Sequence, residues 1–398
     1  MNAEKKLVPK LRFPEFREVG GWEERRTGDF LSESRLLGSK GNVAKKLTVK
    51  LWGNGVFGKN ESIQGSINTQ YFRRRAGQFI YSKLDFLNQA FGVISPDLDG
   101  FESTVDLPCF DIAGGLNPVF LLEYVKRKDF YERLGETADG SRKARRIHAE
   151  TFQSFSLVLP TPAEQQKIAD CLSSLDELIA AQARKVDALK THKKGLMQQL
   201  FPREGKTQPR LRFPEFLDAG EWVPLSIARF AKVTTGVKDT QNKVDGGRYP
   251  FFVRSQTVAR IDSFSYDGEA VLTSGDGVGV GKNFHYIKGK FDFHQRVYCI
   301  YDFAENVSGL FFYLYFAEHF GERVMKMSAK NSVDSVRMAM ITEMPVMLPK
   351  LHEQQRIADC LTSLDTLITA QTQELETFKT HKKALMQQLF PSAEAVEA

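Results

Sequence analysis

Residues 159–202 read LPTPAEQQKIADCLSSLDELIAAQARKVDALKTHKKGLMQQLFP, and residues 348–391 read LPKLHEQQRIADCLTSLDTLITAQTQELETFKTHKKALMQQLFP. Of the 44 aligned positions 29 are identical, at one constant offset and without a gap. A shorter repeat, LRFPEF followed by a Gly and a Trp, starts at Leu11 and again at Leu211. The chain is therefore an internal duplication. We expect a two-fold pseudo-dimer within one chain, an arrangement that suits a two-part target such as DNA.

The long repeat has the periodicity of a helix that pairs with another helix. Its apolar residues alternate in steps of four and three over about five heptads, which predicts a coiled coil of two antiparallel helices. Thr161 to Glu164 form a capping box, whereas the second copy has Lys350 at the cap position. Pro202 and Pro391 end the helices. The predicted seam consists of Ile168, Leu172, Leu175, Ile179, Gln182, Val186 and Leu189 in the first copy, and Ile357, Leu361, Leu364, Ile368, Gln371, Leu375 and Phe378 in the second.

Two seam positions are polar in both copies, namely Gln182 with Gln371 and Lys193 with Lys382. If the helices overlap fully, the two glutamines meet, and a buried polar pair would fix the register of the coiled coil. Alternatively, these long side chains extend out of the seam into solvent. The sequence pattern leaves both interpretations open.

The bulk composition is that of a globular protein with more than one core, because 398 residues exceed the usual size of one domain. The net charge of +6 is compatible with a polyanionic partner without requiring one. No apolar run approaches the roughly 20 residues of a membrane helix, and the N-terminus lacks the pattern of a secretion signal. The cysteines have no CxxC spacing, so we expect reduced thiols, no metal site and a cytoplasmic location.

The segments between the long repeats are rich in Gly, Phe and β-branched residues and predict two mixed α/β heads, hence an α+β fold class. The predicted order is an N-terminal arm (1–21), head 1 (22–160), a first spacer helix (161–202), a linker and second arm (203–221), head 2 (222–349), a second spacer helix (350–391) and a tail (392–398). Residues 77–82 of head 1 match residues 268–273 of head 2, each followed at a similar distance by a cysteine, Cys109 or Cys299. The two heads therefore share one diverged fold.

Four sets of motifs carry a resemblance to a known family. The segments EQQKIADCLSSLD and EQQRIADCLTSLD each follow an LP dipeptide, and each repeat ends in LMQQLFP. The RFPEF and Trp pairs precede each head. Head 2 contains YDGEAVLTSGDGVGVGK and FDFHQRVY, and head 1 contains LTVKLWGNGVFGKN and GQFIYSKLDFLNQAFGVISPDLDGFESTVDLPCFDI. In these features nearly the whole chain resembles the DNA-specificity subunits of type I restriction-modification enzymes, with two spacer helices and two target-recognition domains.

This resemblance implies a non-catalytic subunit that reads a split, asymmetric sequence of double-stranded DNA. It also implies two methyltransferase (M) subunits and, in the full complex, restriction and translocase (R) subunits as partners. S-adenosylmethionine, ATP and Mg would be held by those partners, and the complex would methylate adenine and cleave DNA with ATP. The repeated THKK segments, 191–194 and 380–383, are the expected docking face for the methyltransferases.

Candidate DNA contacts in head 2 lie in two segments. Residues 275–282 fail as a P-loop, so we interpret them as a loop near the DNA backbone, with Gly277 and Gly279 permitting close approach and Lys282 contacting phosphate. The alternative is a tight turn between strands. His294, Gln295 and Arg296 follow an alternating aromatic strand, and Gln and Arg can pair with base edges. The alternative is that His294 packs in the fold and Arg296 forms a surface ion pair.

Candidate DNA contacts in head 1 are a polar and aromatic loop and two basic runs. Trp52, Asn54 and Lys59 belong to the loop, for which a hairpin tip is the alternative interpretation. The basic runs fit phosphate clamping, although such runs are often solvated faces. They comprise Arg73, Arg74 and Arg75, and Arg142, Lys143, Arg145 and Arg146, with Lys330 at the corresponding stretch of head 2.

The sequence contains no Walker A, HExxH, GxSxG or NPP[FY] motif, so no catalytic residue is predicted. Two other functions remain as alternatives. A coiled-coil adaptor that binds proteins would show no salt-dependent affinity for DNA. An enzyme with an unrecognised site would turn over substrate alone.

Overall fold

The computed structural model describes residues 7–59, 65–136, 146–327 and 335–391. The chain divides into two compact units, with residues 1–183 and 373–398 in unit 1 and residues 184–372 in unit 2. Each unit combines one head with the start of one long helix and the end of the other. The duplication is therefore expressed as two units, of which unit 1 is assembled from both ends of the chain.

Unit 1 contains short antiparallel strands in several small sheets. The strands are β1 (Glu23–Arg26), β2 (Leu31–Glu33), β3 (Leu37–Lys40), β4 (Leu47–Val49), β5 (Val56–Gly58), β6 (Gln70–Arg73), β7 (Phe79–Tyr81), β8 (Phe91–Val93), β9 (Glu102–Ser103), β10 (Cys109–Ile112) and β11 (Ser156–Leu159). A four-stranded sheet has the order β2-β10-β7-β8, a three-stranded sheet has the order β3-β6-β9, and β1 pairs with β11 and β4 with β5. The helices are α1 (Pro118–Val125), α2 (Lys128–Glu136), α3 (Ala149–Ser154) and the 39-residue α4 (Pro162–Leu200), of which residues 162–183 belong to this unit.

Unit 2 is built on one larger sheet. Its six strands have the order β13-β18-β16-β17-β14-β15, and β12 pairs with β19. All pairs are antiparallel except β14 with β17. The strands are β12 (Val223–Ser226), β13 (Lys232–Thr235), β14 (Tyr249–Phe252), β15 (Ala259–Ile261), β16 (Tyr266–Ser274), β17 (Phe284–Phe293), β18 (Val297–Tyr301) and β19 (Pro345–Leu348). The helices are α5 (Gly309–Met327), α6 (Met338–Thr342) and the 39-residue α7 (Leu351–Leu389), of which residues 351–372 belong to this unit.

The core of each unit is continuous with the long helices. In unit 1, Ile168 and Leu172 of α4 and Leu389 of α7 are buried in one cluster with Trp22 and Phe120. In unit 2 the corresponding cluster contains Leu200 of α4, Ile357 and Leu361 of α7, and Trp222 with Phe311. Burial of these apolar faces holds helices that would not be stable alone.

The two long helices run antiparallel within each unit. In unit 1 the Lys382 ammonium lies 2.7 Å from Asp176, and Gln182 donates to Glu374 at 3.1 Å, so partner numbers fall as residue numbers rise. In unit 2 Lys193 contacts Asp365 at 2.6 Å. Each residue of the predicted seam is buried or half-buried. The predicted fold class, two mixed heads with two long antiparallel helices in a pseudo-two-fold repeat, is confirmed.

The match between the two heads is wrong by one residue. Cys109 pairs with Ile80, whereas Cys299 pairs with Leu272, so Ile80 corresponds to Leu272 and not to Val271. Alternate strand residues point to opposite faces. A one-residue error in a match therefore assigns every side chain of the strand to the wrong face.

Candidate nucleic-acid interface

The start of each long helix is held by a buried ion pair. Arg12 donates from Nε and Nη2 to the two carboxylate oxygens of Glu164, at 2.8 and 2.7 Å, and Trp22 Nε1 lies 3.3 Å from the same carboxylate. The carboxylate of Glu164 is buried, and its hydrogen bonds raise the pKa of Arg12 above the ordinary value. A buried carboxylate needs such partners because desolvation penalises an unpaired charge.

Unit 2 repeats this arrangement, which we name the helix clamp in both units. Arg212 donates to the two carboxylate oxygens of Glu353 at 2.7 Å each, and Trp222 Nε1 lies 3.3 Å away. The short repeat LRFPEF with its Trp therefore supplies the cation and the indole, and the EQQ segment supplies the carboxylate. The repeated motifs are explained by this contact.

The residue after each clamp glutamate joins the head to the helix. Gln165 accepts from the backbone N–H of Asn117 at 2.9 Å and donates to the carbonyls of Gly115 and Pro160. In unit 2 Gln354 accepts from Ser308 N–H at 2.9 Å and donates to the carbonyls of Asn306 and Pro349. Both Gln side chains are buried. The orientation of each head on its helix is thus set by the same few bonds.

The THKK segments do not present all their side chains outward. Lys382 contacts the buried Glu123 of head 1 at 3.0 Å as well as Asp176. Burial by itself would raise the pKa of Glu123, but Lys126 and Lys382 together lower it below its ordinary value. The exposed members are Thr191, His192 and Lys194 in the first copy and His381 and Lys383 in the second, with Thr380.

In head 2, the predicted loop at residues 275–282, here called the glycine loop, connects β16 to β17. Thr273 and Phe284 pair across its base. Gly277 has a φ of 74°, which favours glycine. A Cβ on Gly279 would lie 2.2 Å from Asn283 Nδ2, so a larger residue there would displace the Asn283 side chain. Lys282 is exposed.

Two arginines converge on the glycine loop through one carboxylate. Asp276 lies 3.0 Å from Arg254 Nη1 and 3.7 Å from Arg296 Nε. The backbone of Asp276 also bridges to Ser335, which holds the backbone of the glycine loop at this point. Both guanidinium groups remain about half exposed, at 48% and 65% of the side chain. This arrangement presents two oriented guanidinium groups to an anion or a base edge.

The three residues before β18 have different roles. His294 is 2% exposed, and its Nδ1 accepts from the N–H of Arg296 at 2.9 Å. Burial lowers the pKa of His294. The enclosed and bonded imidazole favours the packing interpretation of His294, and its contact with DNA stays a prediction. Gln295 is exposed, donates to Asp239 at 2.9 Å and directly precedes Arg296 in the chain.

In head 1, the predicted loop is the tip of the hairpin formed by β4 and β5. Trp52 is 64% exposed and has a φ of 60°. Asn54 is exposed and its side chain donates to the carbonyl of Leu51 at 2.9 Å. Lys59 follows β5 and is exposed.

The arginine run at residues 73–75 is divided between surface and interior. Arg73 and Arg75 are exposed. Arg74 is 2% exposed and donates to Ser103 Oγ and to the carbonyls of Ser34 and Leu107. Burial lowers the pKa of Arg74. Its donors are used within the head, which favours a structural role for Arg74, and its contact with DNA stays a prediction.

The second basic run is described only at its end. Arg146 is exposed. Arg142, Lys143, Arg145 and Lys330 lie outside the described residues. Among the residues that are described, no group of three or more His, Cys, Asp or Glu side chains could hold a metal ion. No helix in the described ranges has both the length and the apolar character needed to cross a membrane.

Sequence reasoning missed Arg254, Asp276 and the helix clamp. The clamp had a detectable signal, since an Arg, a Trp and a Glu recur in both copies of otherwise apolar motifs. Arg254 had none, because it follows β14 and reaches the glycine loop through strand pairing.

Comparisons with known proteins agree with this architecture. The family described as type I restriction modification DNA specificity domain matches residues 220–377. The type I restriction enzyme MjaVIII specificity subunit of Methanocaldococcus jannaschii is 25% identical over 94% of this chain and 92% of its own length. The EcoDI specificity subunit of Escherichia coli is 29% identical over 37% of this chain and 31% of its own length. The crystal structure of the S subunit of a type I system from M. genitalium superposes with a TM-score of 0.63 at 14% identity, over 97% of this chain and 99% of that one.

Proposed function

Because residues 220–377 carry a type I restriction modification DNA specificity domain and the whole chain resembles type I specificity subunits, we propose that this protein selects the DNA sequence on which a type I restriction-modification complex acts. Each head reads one half of a bipartite target. The chain itself is non-catalytic in this proposal.

The observation that carries the proposal is one frame with two different heads. The helix clamp and the glutamine that follows it recur in both units with nearly the same distances. The heads differ, because head 1 has sheets of four and three strands whereas head 2 has one sheet of six. An identical frame with different reading surfaces suits two unlike half-sites in one duplex.

The two long helices set the gap between the half-sites in this proposal. Each spans 39 residues, which corresponds to about 58 Å at 1.5 Å per residue. At 3.4 Å per base pair this length gives an upper limit of roughly 17 base pairs.

Catalysis and its cofactors belong to partners in this proposal. Two methyltransferase subunits bind the exposed faces of the long helices, including His192 and Lys194 and their counterparts His381 and Lys383. Those subunits hold S-adenosylmethionine, and the R subunits that join them hold ATP and Mg. The repeated sequence of the two helices supports the binding of two copies of one partner.

Mapping of N6-methyladenine in genomic DNA tests the proposal directly. Cells with the gene should contain a methylated bipartite sequence that cells without it lack, and restored expression should restore it. An unchanged methylation map, together with no salt-dependent binding of duplex DNA, would instead favour a coiled-coil adaptor.

A further inference from the structure

Head 1 exposes an indole in a position where the fold does not use it. The chain contains three tryptophans, all of them in the described ranges. Trp22 and Trp222 are 4% and 1% exposed and belong to the helix clamps. Trp52 is 64% exposed at the hairpin tip. Most of its side chain therefore contributes nothing to the core of unit 1.

The backbone at Trp52 is strained. Its φ of 60° lies in the left-handed region, which costs a non-glycine residue about 1–2 kcal/mol. The neighbours Gly53 and Gly55 have φ values of 68° and 84° without such a cost. Glycine at position 52 would satisfy the same turn, yet the chain has its largest residue type there. Strained residues of this kind are held by the surrounding structure and cluster at functional sites.

The tip is fixed by bonds to a second loop. The N–H of Trp52 donates to the carbonyl of Asn88 at 2.7 Å, and that of Gly53 donates to Gln89 at 2.9 Å. Lys50 N–H closes the hairpin to the carbonyl of Gly55 at 2.9 Å. The indole is thus exposed on a rigid support, so little entropy is lost when it meets a ligand.

The surroundings of the indole suit a polyanion. Residues 43–59 include the exposed Lys45, Lys50 and Lys59 and the buried Lys46, and no Asp or Glu. The stem of Lys126 lies beside Gly53. Asn54, a residue type that pairs with adenine, is exposed at the same tip. An exposed indole on a hairpin whose exposed charged residues are all lysines, with an amide at the same tip, fits nucleic acid better than it fits an apolar protein surface.

We propose that Trp52 inserts at a base step of duplex DNA and stacks on the exposed face of a base in the half-site that head 1 reads. This inference rests on the proposed function. Apolar side chains that enter between base pairs unstack a step and bend the duplex. Stacking of a base on an aromatic ring stabilises binding enough to change affinity by roughly 5- to 150-fold.

The fluorescence of the Trp52 indole reports directly on its contact with DNA. We expect addition of a short duplex carrying the mapped methylation sequence to quench the long-wavelength emission of the full-length chain. The buried Trp22 and Trp222 provide a constant background, and Trp52→Phe provides the blank. A duplex with 2-aminopurine at successive positions should brighten at one step of the head 1 half-site. No quenching and no brightening with a duplex that binds would overturn the proposal.

Trp52→Gly separates binding from folding. Because glycine relieves the strained φ, its thermal midpoint should equal or exceed that of the wild type. Its affinity for the mapped duplex should nevertheless fall roughly 5- to 150-fold, with Trp52→Phe in between. Leu37→Ala, at a residue of the same head that is 71% exposed, should bind as the wild type.

Three outcomes distinguish failure of the proposed function from failure of the proposed role of Trp52. If the wild type binds no duplex sequence selectively, the proposed function fails. If the wild type is selective and Trp52→Gly binds equally well, only the insertion of Trp52 into the duplex is refuted. If Trp52→Gly binds DNA normally but loses a methyltransferase subunit on gel filtration, the indole contacts a protein, and its insertion into the duplex is again refuted.

Discussion

Removal of the cation from one helix clamp should destabilise its unit severely. In Arg212→Met the carboxylate of Glu353, 1% exposed, loses two hydrogen bonds of 2.7 Å and keeps only the longer contact with Trp222. Loss of one member of a buried ion pair costs about 3–5 kcal/mol because the remaining charge stays desolvated. A domain has a total stability of about 5–15 kcal/mol, so unit 2 should lose roughly a fifth of it or more.

The assay is urea denaturation of the full chain, with matched variants. Arg12→Met should cost a similar amount in unit 1, since the two clamps have nearly equal geometry. Arg356→Met is the control, because its pair with Glu215 is about half exposed on both sides and should contribute below about 1 kcal/mol.

A second substitution tests the physical cause. Replacing both partners, as in Arg212→Met with Glu353→Leu, should recover most of the stability, because no charge remains buried. A loss below about 1 kcal/mol in Arg212→Met would refute the reasoning. A double variant less stable than the single variant would refute it as well.

Two further variants test the reading surface and the head 1 attachment. Asp276→Asn should raise methylation at near-cognate sites about tenfold, with changes confined to one half-site, because the two guanidinium groups lose their orientation. Methylome mapping measures this effect. The control is Asp302→Asn, because the ion pair of Asp302 with the surface residue Lys232 lies at the other end of β18. Lys382→Met should destabilise unit 1, and the difference should be constant at pH 6–8 and shrink below about pH 4. The sign follows from the lowered pKa of Glu123. The ionised carboxylate stabilises unit 1 above its unfolded pKa, and this stabilisation is lost as the pH falls through its folded pKa. A difference in unfolding free energy between the two proteins that did not change with pH in urea denaturation would contradict this.

The long helices could be predicted from sequence because their signal is local and repeated. Heptads and terminal prolines lie within each segment, and the helices begin at Pro162 and Leu351. The second helix begins at the equivalent residue although Lys350 is a poor cap. Its Glu353 binds Arg212, and this tertiary contact stabilises the start of the second helix as Glu164 with Arg12 stabilises the start of the first.

The reading surfaces could be predicted only in part. A run of basic residues indicates charge but not the direction of each side chain, and Arg74 is buried while Arg73 and Arg75 are exposed. His294 followed an aromatic strand, yet the turn before β18 encloses it. Arg254 and Asp276 meet through strand pairing, which no local pattern encodes. The strained φ of Trp52 is likewise a property of the folded chain alone.

The most direct test of the account removes one heptad from each long helix, residues 182–188 and 371–377. The helices would shorten by about 10 Å, or roughly three base pairs of DNA. Methylation mapping should then show both half-site sequences unchanged and the gap between them reduced by about three base pairs. An unaltered gap with normal methylation would contradict the account.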